Sequence, residues 1–259
     1  MINLTDTQIM TFIGQYLWPM TRLGAFFMVV PIFGSQLVNM RVRLALTFLV
    51  TMVVVPLLPP LPAVDGVSLS NFLIVIQQVL IGLTMGFAMQ LTFQLFVVAG
   101  QIMAMQMGLG FASMMDPANG VTVTALSQVY LILVTLLFLA TNGHLVLIEV
   151  IVESFYTLPI SAEGLSRDTY YKMASMLTWM FASGLILALP IVIPLLLVNV
   201  GFGIMNRSAP QFNVFSLGFP IAVIIGLLVV WTMQKDFLPN YQSLISDGLI
   251  FIRQLANIP

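Results

Sequence analysis

Apolar residues run along the chain in long blocks, and the interruptions carry most of its glycine, proline and charge. Thr5 and Gln8 form a capping-box pattern, and an apolar run begins at Ile9. The pattern predicts a first helix over about Met10–Phe33, with Pro19 and Arg22 inside it and Phe33-Gly34 closing it. Gln36, Asn39, Arg41 and Arg43 form a short basic link. A second segment, Leu44–Leu58, is stopped by Pro56, Pro59, Pro60 and Pro62, and Asp65-Gly66 makes a turn. The third, Asn71–Ala99, is uncharged; at helical rise it spans roughly 43 Å, more than a hydrocarbon core of about 30 Å. It holds Gln77, Gln78, Gln90 and Gln94, and Gly82 with Gly86 makes a small-xxx-small face suited to close packing. Val121–Ala140 is a further helix, interrupted by Thr141-Asn142-Gly143-His144 and resumed over Leu145–Phe155. Glu149 and Glu153 lie four apart on one face of that resumed helix. Pro159 ends it, and Ser161–Lys172 is the most polar loop. Met173–Val200 contains Pro190 and Pro194, which predict a kink or a break. Gly201–Phe212, with Arg207 and Ala209-Pro210, links it to the last strongly apolar segment, Val214–Met233. Lys235-Asp236 and Pro239 then start a different, amphipathic helix over 237–257. Tyr241, Leu244, Ile245, Gly248, Ile252 and Leu255 fall on one side of it, and Gln242, Ser246, Asp247 and Gln254 mostly on the other. No repeat of fixed period is visible. The chain reads as one all-α domain, 1–259, of about six long apolar segments.

One break is unlike the others. Gly100–Gly120 reads GQIMAMQMGLGFASMMDPANG. Glycine and Asp-Pro break helices, whereas methionine keeps the stretch oily without fixing its shape. Met103, Met105, Met107, Met114 and Met115, with Phe111, are poor choices for exposure to water. They suit an apolar seal that repacks around a guest, hinged on glycine and closed by a turn at Asp116-Pro117 and Asn119-Gly120. An ordinary connecting loop and a gate remain equally open on these residues alone.

Composition sharpens this picture. The 259 residues are 60% hydrophobic and 7% charged, against about 25% charge in soluble domains. A soluble fold could not hide so much apolar surface, so the chain belongs in a membrane or a membrane-linked assembly. A net charge of -1 points away from nucleic acid. Absence of cysteine removes disulfides and thiolate metal sites. The N-terminus lacks the basic region of a cleaved signal peptide, so the internal segments are expected to direct insertion. Under strict alternation, Arg41, Arg43 and Arg207 fall on one side of a bilayer and Arg167, Lys172, Lys235 and Arg253 on the other. That split does not orient the spans. Strong tilting is one escape, and packing against partner subunits is another. Arg22 inside a helix costs about 2.5–3.5 kcal/mol on insertion scales unless it snorkels to an interface or meets a subunit or polar seam. An enzyme needs convergent polar groups, and few exist here. His144, Glu149 and Glu153 do not share one helical face, so neither metal nor cofactor is expected. A proton relay through Glu149, Glu153 or Asp116 competes with the reading that the two glutamates sit near an aqueous end.

Several stretches, in order and spacing, carry a resemblance. They are Arg22 through Pro31-Ile32-Phe33-Gly34; Arg41-Val42-Arg43; Gly100-Gln101 through Gly108-Leu109-Gly110-Phe111-Ala112; and Asp116-Pro117. Phe138 with Asn142-Gly143-His144 and Ser154-Phe155 to Pro159 follow, then Ala209-Pro210-Gln211-Phe212-Asn213-Val214-Phe215 running to Gly218-Phe219-Pro220. With them the chain closely resembles the FliR family of flagellar biosynthesis proteins, which includes the corresponding subunit of virulence type III secretion systems. The resemblance implies a non-enzymatic core subunit of the flagellar type III export gate, in the bacterial inner membrane at the flagellar basal body. FliP-like and FliQ-like subunits would complete the gate, an FlhB-like switch protein would associate with it, and unfolded polypeptides would pass through. It also implies that much of the assembly is lifted above the membrane plane on the periplasmic side, which would account for the undecided orientation. By position, the family's plug falls on Gln106 to Gly120, including Met107, Asp116 and Pro117. Phe111, Met114 and Met115 would form its seal, and Gly108, Gly110 and Gly120 its hinges. Arg22, Gly82, Gly86, Asn142, His144, Glu149 and Glu153 are candidates for subunit packing or a polar seam. The alternatives are a virulence-type gate, a proton-coupled secondary transporter and a purely structural scaffold.

Overall fold

A computed structural model describes residues 6–59, 68–111, 113–115, 122–161, 164–208 and 214–258. Thr5, Pro60, Pro62, Asp65-Gly66, Asp116-Pro117, Asn119-Gly120 and Ala209-Pro210 lie outside the described residues. Among those described, the helices are α1 (Asp6–Val29), α2 (Met40–Val54), α3 (Leu69–Gln106), α4 (Ala125–Ala140), α5 (Gly143–Thr157), α6 (Arg167–Ser208) and α7 (Val214–Leu255). A two-stranded hairpin, β1 (Ser113–Met115) and β2 (Thr122–Thr124), separates α3 from α4. The chain is an all-α membrane protein. The stretch Met40–Leu57, helices α3 and α6, and Gly218–Leu255 of α7 are each long and apolar enough to cross a bilayer. Helices α4 and α5, bent by 71° at their junction, would make a fifth span if taken together.

Local chemistry explains several ends. Asn39 caps α2, its side chain accepting from the Arg41 N–H at 3.0 Å. Thr47 and Thr51 are buried in that apolar helix because each hydroxyl donates to the carbonyl four residues earlier, at 2.9 and 2.7 Å. After α1 the chain turns at Pro31-Ile32-Phe33-Gly34. The Phe33 N–H reaches the Pro31 carbonyl at 3.0 Å, with Ile32 at φ 75°, a γ-turn that is strained for a β-branched residue. At the α4–α5 corner Asn142 takes φ 58°, a left-handed conformation that asparagine tolerates.

Several predicted boundaries move: α1 ends at Val29 rather than Phe33, α3 runs on to Gln106 rather than Ala99, and α6 covers Arg167–Ser208 rather than Met173–Val200, taking in the end of the predicted polar loop and most of the predicted link. No new helix starts at Lys235-Asp236 and Pro239, because α7 is continuous from Val214 to Leu255. Proline removes one backbone bond and crowds the carbonyl four residues back, a local cost that a well-packed helix absorbs. Residues on both sides of Pro239 are anchored: Phe237 and Tyr241 are buried, and each ring centroid lies 6.3 Å from that of Phe96. The predicted amphipathic face is nonetheless present, with Tyr241, Ile245, Gly248, Ile252 and Leu255 buried and Gln242, Ser246, Asp247 and Gln254 exposed. Likewise α6 passes through Pro190 and Pro194 without ending. Helix α4 begins at Ala125 rather than Val121, since Thr122–Thr124 forms a strand.

The chain divides into two compact units. One contains Met1–Leu91, Phe138–Met176 and Asp247–Pro259. Its core includes Trp18, Phe26, Phe27, Met85, Met89, Phe138 and Phe155. The other contains Thr92–Leu137 and Leu177–Ser246, with Phe93, Phe96, Tyr130, Val134 and Phe237 in its core.

Candidate functional site

The hairpin grows out of the last turn of α3. Helical bonding continues to Met107, whose N–H reaches the Met103 carbonyl at 3.0 Å, and the Gly108 N–H then closes a tighter turn on the Met105 carbonyl at 3.1 Å. Gly108 sits at φ 78°, a conformation that favours glycine. Leu109–Phe111 form one 3-10 turn, and β1 follows. Strand β1 runs antiparallel to β2, pairing Ser113 with Thr124, Met114 with Val123 and Met115 with Thr122. At the return, Thr124 caps α4. Its hydroxyl lies 2.8 Å from the Ser127 hydroxyl and accepts weakly from the Ser127 N–H at 3.4 Å. The β-branched run Thr122-Val123-Thr124 is a strand signal that the helix predicted over Val121–Ala140 passed over.

Among the residues singled out for a plug, Gln106 is half-buried, Met107 has no exposed surface, Gly108 is half-buried and Gly110 is exposed. Phe111 ends the 3-10 turn, and Met114 and Met115 lie in β1. Asp116, Pro117 and Gly120 are outside the described residues. Beneath the hairpin's root lies a cavity of about 520 Å³. Gln106 and Gly108 line it from α3 and the turn, Asn199 and Phe202 from α6, and Phe219 and Ala222 from α7. The sequence carried no sign of this cavity, because its walls come from three distant segments.

The other group of singled-out residues belongs to the unit that contains α1. Arg22 is fully buried and turns inward. Its Nε donates to Gln78 Oε1 at 2.8 Å. Nη1 donates to the Ser154 carbonyl at 2.9 Å and to Ser154 Oγ at 3.1 Å, and Nη2 donates to the Leu158 carbonyl at 2.8 Å. The guanidinium also lies 4.2 Å from the centre of the Phe155 ring. Ser154 and Leu158 are at the C-terminal end of α5, where the helix dipole is negative; the Ser154 carbonyl, already bonded to the Leu158 N–H, has a second lone pair free, and the Leu158 carbonyl lies past the last turn. A buried cation is thus satisfied without a carboxylate, and α1, α3 and α5 are tied together. Gly82 and Gly86 bring α3 against α1: a Cβ on Gly82 would strike the Arg22 carbonyl oxygen, and one on Gly86 would lie 3.0 Å from that of Phe26. Asn142 is exposed, whereas Gly143 is packed on the Phe138 ring. His144 is half-buried with Nδ1 unpartnered. Glu149 is exposed, and Glu153 lies 3.6 Å from Arg253; that pair is more than a third exposed and adds little. Among the described residues no three His, Cys, Asp or Glu side chains gather as a metal site would require.

Comparison with known proteins matches residues 13–248 to the family described as bacterial export proteins, family 1. The chain is 36% identical over 249 residues to the flagellar biosynthetic protein FliR of Escherichia coli, covering 95% of this chain and 94% of that one. It is 36% identical over 247 residues to FliR of Pectobacterium carotovorum, with the same coverage. It is 26% identical over 210 residues to the surface presentation of antigens protein SpaR of Shigella flexneri, covering 81% of each chain.

Proposed function

Because this chain belongs to the FliR family of bacterial export proteins, we propose that its hairpin between α3 and α4 is the plug of a protein-export channel. The protein serves the flagellar export gate, as a membrane component of the type III export apparatus. In our reading it is a non-enzymatic core subunit in the bacterial inner membrane at the flagellar basal body. It assembles with FliP-like and FliQ-like subunits and an FlhB-like switch protein, part of the assembly rises on the periplasmic side, and unfolded flagellar polypeptides cross it. Large apolar side chains left exposed along α6 and α7 support burial in such an assembly, among them Phe181, Ile186, Leu197, Ile204, Ile224 and Trp231.

One observation carries the plug: the single strand-forming stretch among the described residues is an oily, methionine-rich hairpin set on a left-handed glycine and a buried methionine. A short hairpin held by three residue pairs can move as one piece.

The test is deletion of residues 110–116 in cells carrying the rest of the apparatus. Permeability to ions and small solutes should rise. Normal permeability together with normal export of flagellar subunits would show that the hairpin closes nothing.

A further inference from the structure

We propose that α7 holds the plug shut through a knob-and-notch contact, in which the Met107 side chain sits in the notch at Gly226 while Phe219 covers Gly108. This rests on the plug reading and names how that plug is retained.

The geometry is specific. Met107 has no exposed surface. A Cβ placed on Gly226 would lie 2.5 Å from Met107 Cγ, 2.7 Å from Cε and 2.9 Å from Sδ. The thioether therefore occupies the space that any other residue at 226 would fill. One residue on, a Cβ on Gly108 would lie 2.9 Å from Phe219 Cδ2, and that glycine is already committed to positive φ. Phe219, Ala222 and Gly226 are spaced i, i+3 and i+7, one stripe of α7. The plug's root is gripped at two consecutive residues by that stripe.

The grip is also made to release. It consists of one flexible thioether and one ring edge, with no hydrogen bond or ion pair between the root and α7 in the contacts described. Methionine changes rotamer more readily than a branched side chain. The cavity of about 520 Å³ adjoins the contact, with Met107, Gly108, Phe219 and Ala222 all in its wall. A displaced Met107 side chain can enter it without repacking α6 or α7, whereas a filled core would resist the motion. Swinging the hairpin requires Met107 to leave the notch, so Gly226 and Phe219 position the closed state without touching the exported chain.

The natural chain has no cysteine, so a Met107→Cys/Gly226→Cys pair provides the one thiol pair within it. In the assembled apparatus the pair should cross-link on oxidation. Export by the oxidised form should be at least tenfold below that of the same variant after reductant is added, with no ion leak. A pair that does not cross-link, or that exports equally in both redox states, overturns the proposal. Gly226→Leu should evict Met107 and leak ions to an extent comparable with deletion of 110–116. Gly226→Leu/Met107→Gly, which reverses knob and notch, should seal again, and this separates release from misfolding. If the deletion leaks while Gly226→Leu stays sealed, the notch is wrong and the plug survives. If the deletion also stays sealed, the plug reading itself fails.

Discussion

Arg22→Met tests whether the buried seam is held by hydrogen bonds rather than by volume. Methionine keeps most of the apolar stem and removes all four donations. Their acceptors are not equally exposed to the loss. The Ser154 carbonyl also accepts from the Leu158 N–H at 2.9 Å, and Ser154 Oγ donates to the Ile151 carbonyl at 2.7 Å. Gln78 Oε1 and the Leu158 carbonyl are the groups left unpaired. The buried Gln78 Oε1 costs about 1–3 kcal/mol as an orphan, and the half-buried Leu158 carbonyl adds less. Removing the guanidinium also relieves the penalty of keeping a cation from water, and because its partners are neutral no charge is stranded. The balance is a loss of about 2 kcal/mol, or roughly 4–8 °C in melting midpoint for a chain of this size. Trp18, buried one turn before Arg22, offers a fluorescence probe in purified protein held in mild detergent. Arg22→Met/Gln78→Met removes one orphan together with its donor and should recover part of the loss. A single variant that melts with the natural protein, or a double variant that melts lower than the single, would refute this account.

Three further outcomes follow from other features. Ile32→Gly should raise the melting midpoint, because a β-branched residue at φ 75° carries about 1–2 kcal/mol of left-handed strain, which exceeds glycine's entropic cost; a fall would show that Ile32 packing outweighs the strain. Met114→Asp/Met115→Asp should make cells permeable to ions, whereas Met114→Leu/Met115→Leu should be nearly silent; equal effects in an ion-flux assay would argue for sequence-specific contacts over sealing. Glu149→Gln/Glu153→Gln should leave export unchanged, since Glu149 is exposed and Glu153 meets Arg253 only in a loose, partly exposed pair; abolished export with an intact complex would revive the proton relay.

The helices were legible because apolar blocks of this length have few other uses, and the mid-chain break because glycine and methionine are an unusual pair in a loop. What proline does at each position was not. Pro56 sits in the one-turn 3-10 end of α2 and the helix stops, whereas Pro190, Pro194, Pro220 and Pro239 lie inside unbroken helices. The deciding contacts are remote: around Pro239, Phe237 and Tyr241 are fixed by Phe96 on another helix. The same holds at the sites. Arg22 announced a cost by its charge, but its acceptors at Ser154 and Leu158 are 132 and 136 residues away, and two of them are backbone carbonyls, which any residue supplies. Thr122–Thr124 carried a strand signal of its own, yet Ser113–Met115 became a strand only by pairing with it. Gly226 illustrates the limit most clearly. As a helical glycine it is locally unfavourable, and nothing within α7 explains it. Only the arrival of Met107 from the end of α3 turns that missing Cβ into a notch. The residues that could move a gate are thus the ones whose partners are least local, because a contact that must open and close cannot also be one that the helix needs in order to form.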